Sequence, residues 1–300
     1  MAIYEELEQI RKESFDKYKH YQKIGNFASI GLVVSIIILA LSVESGFFII
    51  GFILLIVSIV FMSINYGKAS QCKKSFDKII KDQFVDKMLK EHFDEASFDA
   101  NSHVSIGKIN SAGLTRQPDR YRGEDLIVGR YKGVGFQVSD IILTERRVVS
   151  TGRQTTVQYI DYFKGRWYVY KLEKKFNDVI KIFERGQAVN TRGLTKEETE
   201  MINFNKKFNI YASDKQFFFY IMNASMIEKL LLLENSHRGT IHYCFIGDEL
   251  HIGINDNSDS LQVDFKKTIS RDSLRRFTED IVLIKTIVDE LRLDDIKFKN

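Results

Sequence analysis

The sequence predicts an α+β protein: an N-terminal two-helix transmembrane hairpin with amphipathic flanking helices, then a β-rich antiparallel domain closed by a C-terminal helix. Three observations support this fold class. Two long apolar segments lie near the N-terminus, alternating apolar runs begin after His103, and a regular helical pattern ends the chain. The 300 residues therefore divide into a first helix (1–23), a hairpin (24–64), a membrane-proximal helix (65–100) and an α+β domain (101–300).

The two apolar segments predict the hairpin. Residues 24–43 and 47–64 carry no Asp, Glu, Lys, Arg or His. Each has about the 20 residues that a helix needs to cross a bilayer. Only Glu44, Ser45 and Gly46 lie between them, so we expect antiparallel neighbours. A cleaved signal peptide is disfavoured because the first segment starts late and lacks a cleavage pattern. A buried hairpin of a soluble protein is disfavoured because both apolar segments are uninterrupted.

The flanking charges predict the orientation of the hairpin. Short cytoplasmic segments accumulate Lys and Arg beside membrane helices. Both flanks are basic, whereas the turn has no cation. We therefore expect a multi-pass protein of the cell membrane with both termini in the cytoplasm. The flanking cations are Lys17, Lys19, Lys23, Lys68, Lys73 and Lys74.

The segments on either side of the hairpin have the spacing of amphipathic helices. The apolar stripe of residues 2–23 includes Leu7 and Ile10, and that of residues 67–95 includes Phe76 and Phe84. Positions three and four apart share one helix face. The two stripes either pair in a short stalk, or pack on the domain or lie along the lipid headgroups.

Short alternating runs predict half-buried antiparallel strands in the first part of the domain. The runs are too closely spaced for intervening helices, so we expect a meander or a small barrel. Gly133 and Gly165 are expected at tight turns, and residues 111–124 and 150–155 in loops. The predicted strands are residues 126–128, 134–138, 141–143, 157–162, 167–172 and 179–183.

Capping patterns predict helices in the second part of the domain. Thr195 with Glu198 predicts a helix to about Phe208, and Ser225 with Glu228 predicts another, because this spacing is that of a capping box. Residues 217–222 are apolar without a clear period, so strand and helix both remain open there.

A hairpin and a helix are predicted to end the chain. Residues 241–254 form two apolar runs separated by Gly247 and Asp248, a two-residue turn whose first position favours glycine. The last helix is predicted over residues 271–293, with its apolar stripe packed on the sheet. That stripe consists of Leu274, Phe277, Ile281, Ile284, Val288 and Leu291.

The positive charge of the chain lies in its middle. Residues 101–185 contain 16 Lys and Arg against nine Asp and Glu, whereas the whole chain has a formal charge of only +4. Anionic lipid at the cytoplasmic leaflet attracts such cations, although solvated strand faces are the ordinary explanation. The candidate membrane-surface residues, expected in loops and turns, are Arg120, Arg122, Arg130, Lys132, Arg146 and Arg147.

Several segments resemble the bacterial "domain of unknown function 3137" family. They are FKGRWYVYKLEKKF (163–176), FNIYASDK (208–215), SMIEKLL (225–231), IHYCFIGDELHIGI (241–254) and IVDELRL (287–293), in this order. The resemblance implies a bacterial membrane protein with a cytoplasmic domain. It also implies a LemA-type membrane protein as a neighbour, since family members often accompany such proteins. It implies no activity and no catalytic residues.

One cluster in the predicted hairpin has metal-ligating side chains. The Gly247–Asp248 turn places Cys244 opposite His251, with His242 on the same face, but no fourth ligand is fixed by the spacing. Asp256 and Asp259 lack the order of a calcium loop. We therefore expect no metal or other cofactor.

The remaining motifs favour binding over catalysis. No phosphate-binding glycine loop, nucleophile elbow or zinc-protease helix occurs, and no nucleic acid is expected. The preferred interpretation is a membrane-anchored binding or regulatory module that engages a protein or an anionic lipid surface. The alternative is a membrane-associated enzyme whose site is assembled from residues distant in sequence.

Overall fold

The computed structural model describes residues 2–41, 48–150, 152, 154–187, 189–258, 260–261 and 263–299. The α+β fold class is confirmed. The helices are α1 (Ala2–Leu41), α2 (Phe48–Ile80), α3 (Asp86–His92), α4 (Ile106–Ala112), α5 (Ile202–Lys207), α6 (Lys215–Ile221), α7 (Ala224–Ser236) and α8 (Arg271–Leu291). The strands are β1 (Glu95–Asp99), β2 (Arg120–Tyr131), β3 (Val134–Ser150), β4 (Thr155–Lys171), β5 (Val179–Glu184), β6 (Thr195–Glu197), β7 (Phe208–Ala212), β8 (Thr240–Ile246) and β9 (Glu249–Asn255).

The chain forms two compact units. The first comprises residues 1–84 and 262–276, and the second comprises residues 85–261 and 277–300. In the first unit α1 and α2 are each continuous from the flank into the described part of the predicted membrane segment. A single turn of π-helix, Lys81–Val85, links α2 to α3.

Helices α1 and α2 pack side by side and antiparallel. A Cβ at Gly25 would lie 3.0 Å from the Tyr66 ring, and one at Gly51 would lie 3.1 Å from Leu39 Cγ. The glycines therefore let the two helices approach closely. The predicted turn at Glu44, Ser45 and Gly46 lies outside the described residues.

Two helical stretches are long and apolar enough to cross a membrane. They are Glu5–Leu41 and Phe48–His92, with mean hydropathies of 2.4 and 2.7 in their most apolar windows. The pair α6 and α7, bent by 68°, would meet the same criterion only if both were counted as one span. In α1 and α2, side chains such as Ile30 and Ile49 are more than half exposed, as expected for helices that face hydrocarbon.

The flanking stripes of α1 and α2 meet on a third segment, within residues 262–276. The Phe265 ring packs edge-on against Tyr18, another residue of the α1 stripe, at 5.4 Å and lies 5.1 Å from the ring of Phe76. Arg11 donates to Phe265 O at 3.3 Å and forms an ion pair with Glu8 at 2.7 Å. The two stripes therefore pack on a segment far along the chain, within residues 101–300, which agrees with the alternative that they pack on that part of the chain.

In the second unit the described residues form one antiparallel nine-stranded sheet with the order β1-β2-β3-β4-β9-β8-β5-β7-β6. Strands β2 to β4 are a meander, as predicted, but the sheet is open and not a barrel. Strand β1 extends the meander within residues 65–100, where a helix was predicted, so that helix prediction is wrong at its end. The runs 134–138 and 141–143 merge into β3, and the runs 157–162 and 167–172 merge into β4, which ends at Lys171. The predicted loop at residues 150–155 joins these two strands, with residues 151 and 153 outside the described residues.

Two of the predicted turns and loops are wrong. Gly165 lies inside β4, where a Cβ would collide with the backbone oxygen of Ile254 on β9. Glycine is therefore needed there for close approach of two strands, not for a turn. Residues 111–124 are not one long loop, because α4 ends at Ala112 and β2 begins at Arg120. The turn at Gly133 is confirmed, with φ 83°.

Both predicted capping boxes are wrong. Thr195 begins the short strand β6, which pairs with β7, and α5 starts later without a side-chain cap. Asn223, not Ser225, caps α7 by accepting from Met226 N at 2.9 Å. The open segment 217–222 is largely helical, since α6 follows the cap residue Asp214.

The hairpin of β8 and β9 is confirmed, and it is buried on both faces. Gly247 has φ 60° at the predicted turn, and Cys244 pairs directly with His251. The face that carries Cys244 packs against Ile109 and Ala112 of α4. On the other face, Tyr243 Oη donates to Leu230 O of α7. Helices thus cover the sheet from both sides.

Helix α8 closes the sheet as predicted. In the second unit its stripe residues Ile281, Ile284 and Val288 are fully buried. Tyr170 Oη of β4 donates to Ile284 O at 2.9 Å. The predicted contact between the last helix and the sheet is therefore confirmed.

Replacing Ile284 with Asp should lower the free energy of unfolding of the second unit by about 4 kcal/mol, because it buries an unpaired charge. Denaturant unfolding of the detergent-solubilised chain, followed by fluorescence of Trp167, the single tryptophan, measures this change. Ile284→Leu, which keeps the volume and the apolar character, should lose about 1 kcal/mol. Equal stabilities of the two variants would contradict the packing.

Candidate functional site

The structure separates the six candidate cations into two groups at opposite ends of β2. Only Lys132 lies in a turn, and the other five lie on strands, so their expected placement in loops is wrong. The merging of short runs into long strands explains the error. One group, named the arginine quartet, comprises Arg120, Arg122, Arg146 and Arg147, and the other comprises Arg130 and Lys132. About eight strand residues, or roughly 26 Å, separate the nearest members of the two groups, Arg122 and Arg130.

The second group is already neutralised in part. Lys132 Nζ lies 2.6 Å from Asp289 Oδ1. Arg130 pairs with Gly135 across the β2–β3 ladder. A bulge between Glu124 and Ile127 shifts the register of β2, so that Arg130 projects from the opposite face to Arg120. The six residues therefore do not form one surface.

Beyond Thr144, strands β3 and β4 continue as an exposed two-stranded ribbon that includes Arg146 and Arg147 of the quartet. We name residues 145–150 with residues 155–160 the ribbon arm. Its strands remain paired to Ser150 and Thr155, and its side chains beyond Glu145 are exposed up to Tyr159. Four large apolar side chains on it are 41% to 53% exposed. They are Val148, Val149, Val157 and Tyr159.

One face of the ribbon arm combines cations with apolar side chains. Arg146 is paired with Tyr159, and Val148 is paired with Val157. The Arg120 guanidinium lies 3.3 Å from the centroid of the Tyr159 ring, a cation–π contact. On the opposite face Glu145 binds both Arg147 and Arg116. The net positive character of the arm is therefore strongest on the Tyr159 face.

The apolar part of this surface was missed from the sequence. Val148 and Val149 follow two arginines and precede a polar stretch, and Val157 with Tyr159 lies after it. Apolar residues therefore stand on both sides of the polar segment that connects the two strands. This pattern is the sequence signal that could have indicated an exposed ribbon. A half-buried strand gives a similar alternation, however, so periodicity alone cannot separate the two.

A cavity of about 400 Å³ lies beside the base of the ribbon arm. Arg122, Ile142 and Lys164 pair directly across three adjacent strands and form one row of its wall. The next row two residues along is Glu124, Asp140 and Arg166, of which the first two line the cavity. His103 and Ser258 also line the cavity.

A buried ion pair supports the floor of this cavity. Asp140 accepts from Arg166 Nε at 3.1 Å and from Ser260 N at 2.7 Å. Arg166 donates to Asp280 O of α8 at 3.1 Å, and burial raises the pKa of the Asp280 carboxyl. Both side chains of the pair are less than one-tenth exposed. The pair therefore fixes this part of β3, β4 and α8 together.

The cysteine and histidine side chains of the β8–β9 hairpin have protein partners or are sealed from solvent. His251 lies 3.1 Å from Glu249 and accepts from Trp167 Nε1 at 3.4 Å. Burial raises the pKa of the Cys244 thiol to about 12. Among the described residues, no group of three His, Cys, Asp or Glu could hold a metal ion, and Asp259 lies outside them.

His242 is buried without a hydrogen bond to its Nδ1 within the described part of the chain. Burial lowers its pKa from 6.5 to about 4, so the folded protein holds the ring neutral where the unfolded chain binds a proton. The contribution of this ring to the free energy of unfolding is therefore fully present above the unfolded pKa of about 6.5. It is lost as the pH falls from about 6.5 towards 4, because only the unfolded chain binds the proton in that range.

Between about pH 7 and pH 5, this linkage should lower the free energy of unfolding by about 2 kcal/mol. His242→Gln should remove that part of the pH dependence. Trp167 fluorescence during denaturant unfolding at each pH measures it. His20→Gln, at an exposed histidine of the first unit, should leave the dependence unchanged, and the same slope in wild type and His242→Gln would refute the assignment.

The fold and the surface define a class of protein: an α+β domain carried on a chain with two helices long and apolar enough to span a membrane. Residues 161–293 match the family described as "Protein of unknown function (DUF3137)", which supports the family resemblance found in the sequence. The matched range begins within β4 and ends just after α8. The family description supplies no activity.

Two further comparisons add no functional information. No curated protein matches this chain. Among solved structures, the crystal structure of the mycobacterial trehalose monomycolate transport factor A, TtfA, matches with 8% identity and a TM-score of 0.37. That match covers 66% of this chain and 88% of the other. So low a score does not establish a common fold.

Proposed function

We propose that the protein is a membrane-anchored binding module of the cell membrane, with both termini in the cytoplasm, whose ribbon arm engages anionic lipid headgroups. The observation that carries the proposal is the exposure of Val148, Val149, Val157 and Tyr159 next to the arginine quartet. A LemA-type membrane protein, implied by the family resemblance, remains the candidate protein neighbour.

The composition of the ribbon arm suits the interface between water and lipid. Complete burial of an aliphatic side chain is worth about 1.5 to 3 kcal/mol, so partial insertion of three valines is favourable. Tyrosine places its ring at the headgroup level. A ribbon whose backbone pairs are already made can enter this region without leaving peptide groups unsatisfied, except at its edges.

The arginine quartet supplies the electrostatic part of the attraction. Each cation near an anionic leaflet contributes about 1 kcal/mol. Arg122 is exposed over 70% of its side chain. Arg147 is 55% exposed but lies on the opposite face of the ribbon arm and pairs with Glu145, so the cations of the Tyr159 face supply most of the attraction. The apolar side chains and the quartet together favour a lipid surface over a purely polar partner. Because the chain is already anchored in the membrane, the ribbon arm needs only modest affinity to stay bound to the lipid surface.

Topology is tested first. Reporter fusions at Met1 and Asn300 should give cytoplasmic signals, and an insertion at Ser45 should give an external signal, because the basic flanks stay on the cytoplasmic side. These three positions lie outside the described residues. An external signal at Asn300 would remove the domain from the cytoplasmic leaflet and contradict the proposal.

Membrane contact of the ribbon arm is tested with the full chain in lipid nanodiscs. A fluorophore on Gln158→Cys, in a Cys72→Ser background, reports contact through quenching by brominated lipids. We expect quenching in anionic discs that falls as salt shortens the screening length from about 10 Å at 0.1 M to about 3 Å at 1 M. Changing the arginine quartet to Gln should abolish most of it.

The chain offers matched controls for this measurement. Arg130→Gln with Lys132→Gln removes two cations from the other end of β2 and should leave the quenching unchanged. Val148→Ser with Val157→Ser keeps the charge and should reduce the quenching. Equal quenching in neutral discs, or none in anionic discs at low salt, would contradict the lipid contact and favour a protein partner.

A further inference from the structure

We infer that the cavity beside the ribbon arm binds a phosphorylated polyol, either as the headgroup of a lipid or as a soluble molecule. The lipid form deepens the proposed function and rests on it, whereas the soluble form does not. The cavity volume of about 400 Å³ lies within the size range of small-molecule sites. It can hold a six-membered polyol ring with one phosphate.

The phosphate position follows from the row Arg122, Ile142 and Lys164. Residues directly opposite on adjacent strands point to the same face. Strands lie about 4.8 Å apart, so the outer two Cα atoms of the row are about 10 Å from each other. Long side chains from both can converge on one anion above the smaller, apolar Ile142. A phosphate monoester, with up to two negative charges, matches two such cations.

Asp161 is the competing partner of Arg122. Its Oδ2 lies 3.9 Å from Arg122 Nη2, and both side chains are well exposed. An exposed pair of this kind contributes at most about 1 kcal/mol. A fork-shaped guanidinium binds phosphate with two parallel hydrogen bonds, so a phosphate can displace this contact.

The polyol position follows from the second row of the cavity. Glu124 is exposed and accepts hydrogen bonds from hydroxyl groups. Asp140 is held by Arg166 and Ser260, so its charge is compensated and it does not repel an anion as a free carboxylate would. His103 is fixed by stacking on Tyr121 at 4.8 Å, and Ser258 adds a hydroxyl. Hydroxyl-binding groups thus lie next to the cationic row.

The test titrates inositol monophosphate into the full chain in neutral-lipid nanodiscs, with binding measured by calorimetry. Saturable binding is expected, with weaker binding of inositol and of inorganic phosphate, because each lacks half of the recognised groups. Lys164→Gln should weaken binding by about tenfold or more, as expected for loss of a charge-assisted hydrogen bond. Lys164→Arg should retain it, which shows that the site still folds.

Lys171→Gln is the matched control, because Lys171 is an exposed cation on the same strand that pairs with Asp248. It should bind inositol monophosphate as the wild type does. Glu124→Gln should reduce the preference for inositol monophosphate over inorganic phosphate. Absence of binding, or equal binding by wild type and Lys164→Gln, would overturn the inference.

The source of the ligand is distinguished in discs that contain phosphatidylinositol phosphate. If this lipid competes with soluble inositol monophosphate, and the competition is lost in Lys164→Gln, the cavity is a site for the lipid headgroup. Soluble binding without competition assigns the site to a free phosphorylated polyol. Lys164→Gln should leave ribbon-arm quenching in phosphatidylglycerol discs intact. A failure of the proposed ligand binding in the cavity and a failure of the proposed lipid contact of the ribbon arm therefore give different results.

Discussion

The β3–β4 ladder is longer than the core that covers it, and this mismatch underlies the surface features of the second unit. Near Tyr170 and Trp167 both faces of the ladder are buried. Beyond Glu145 no helix covers the described side chains, so the same two strands continue as the ribbon arm. The two strands stay paired along the whole length, so their inward-facing peptide groups are satisfied. The ladder can therefore present valines and arginines to a partner without losing its structure.

Charge is organised differently in the two parts of this ladder. In the covered part, Asp140 and Arg166 are buried together and linked to α8. Loss of either partner would leave an uncompensated buried charge, which is costly. At the exposed end, the arginines have weak or shared carboxylate partners, which can be displaced by phosphate groups. Burial thus makes one set of charges structural and leaves the other available for binding.

Local sequence signals failed where tertiary pairing offered a better use of the same residues. The Thr195 and Glu198 pattern matches a capping box, but Thr195 adds an edge strand beside β7. Gly165 resembles a turn residue, yet it lies where β9 approaches β4 too closely for any side chain. Thr195 pairs with Ala212 and Gly165 with Asn255, so strand pairing beyond the local sequence window decides both cases.

The sequence alone determined the features that depend on composition and short periods: two long apolar helices, antiparallel strands, the Gly247–Asp248 turn and the stripe of α8. These follow from water exclusion and from backbone geometry within one element. Only the tertiary structure decided that the six candidate cations fall into two groups, that Lys164 and Arg122 flank Ile142 in one row of the sheet, and that Val148 is exposed. Those properties depend on strand register and on the extent of the covering helices, which arise from contacts between distant segments.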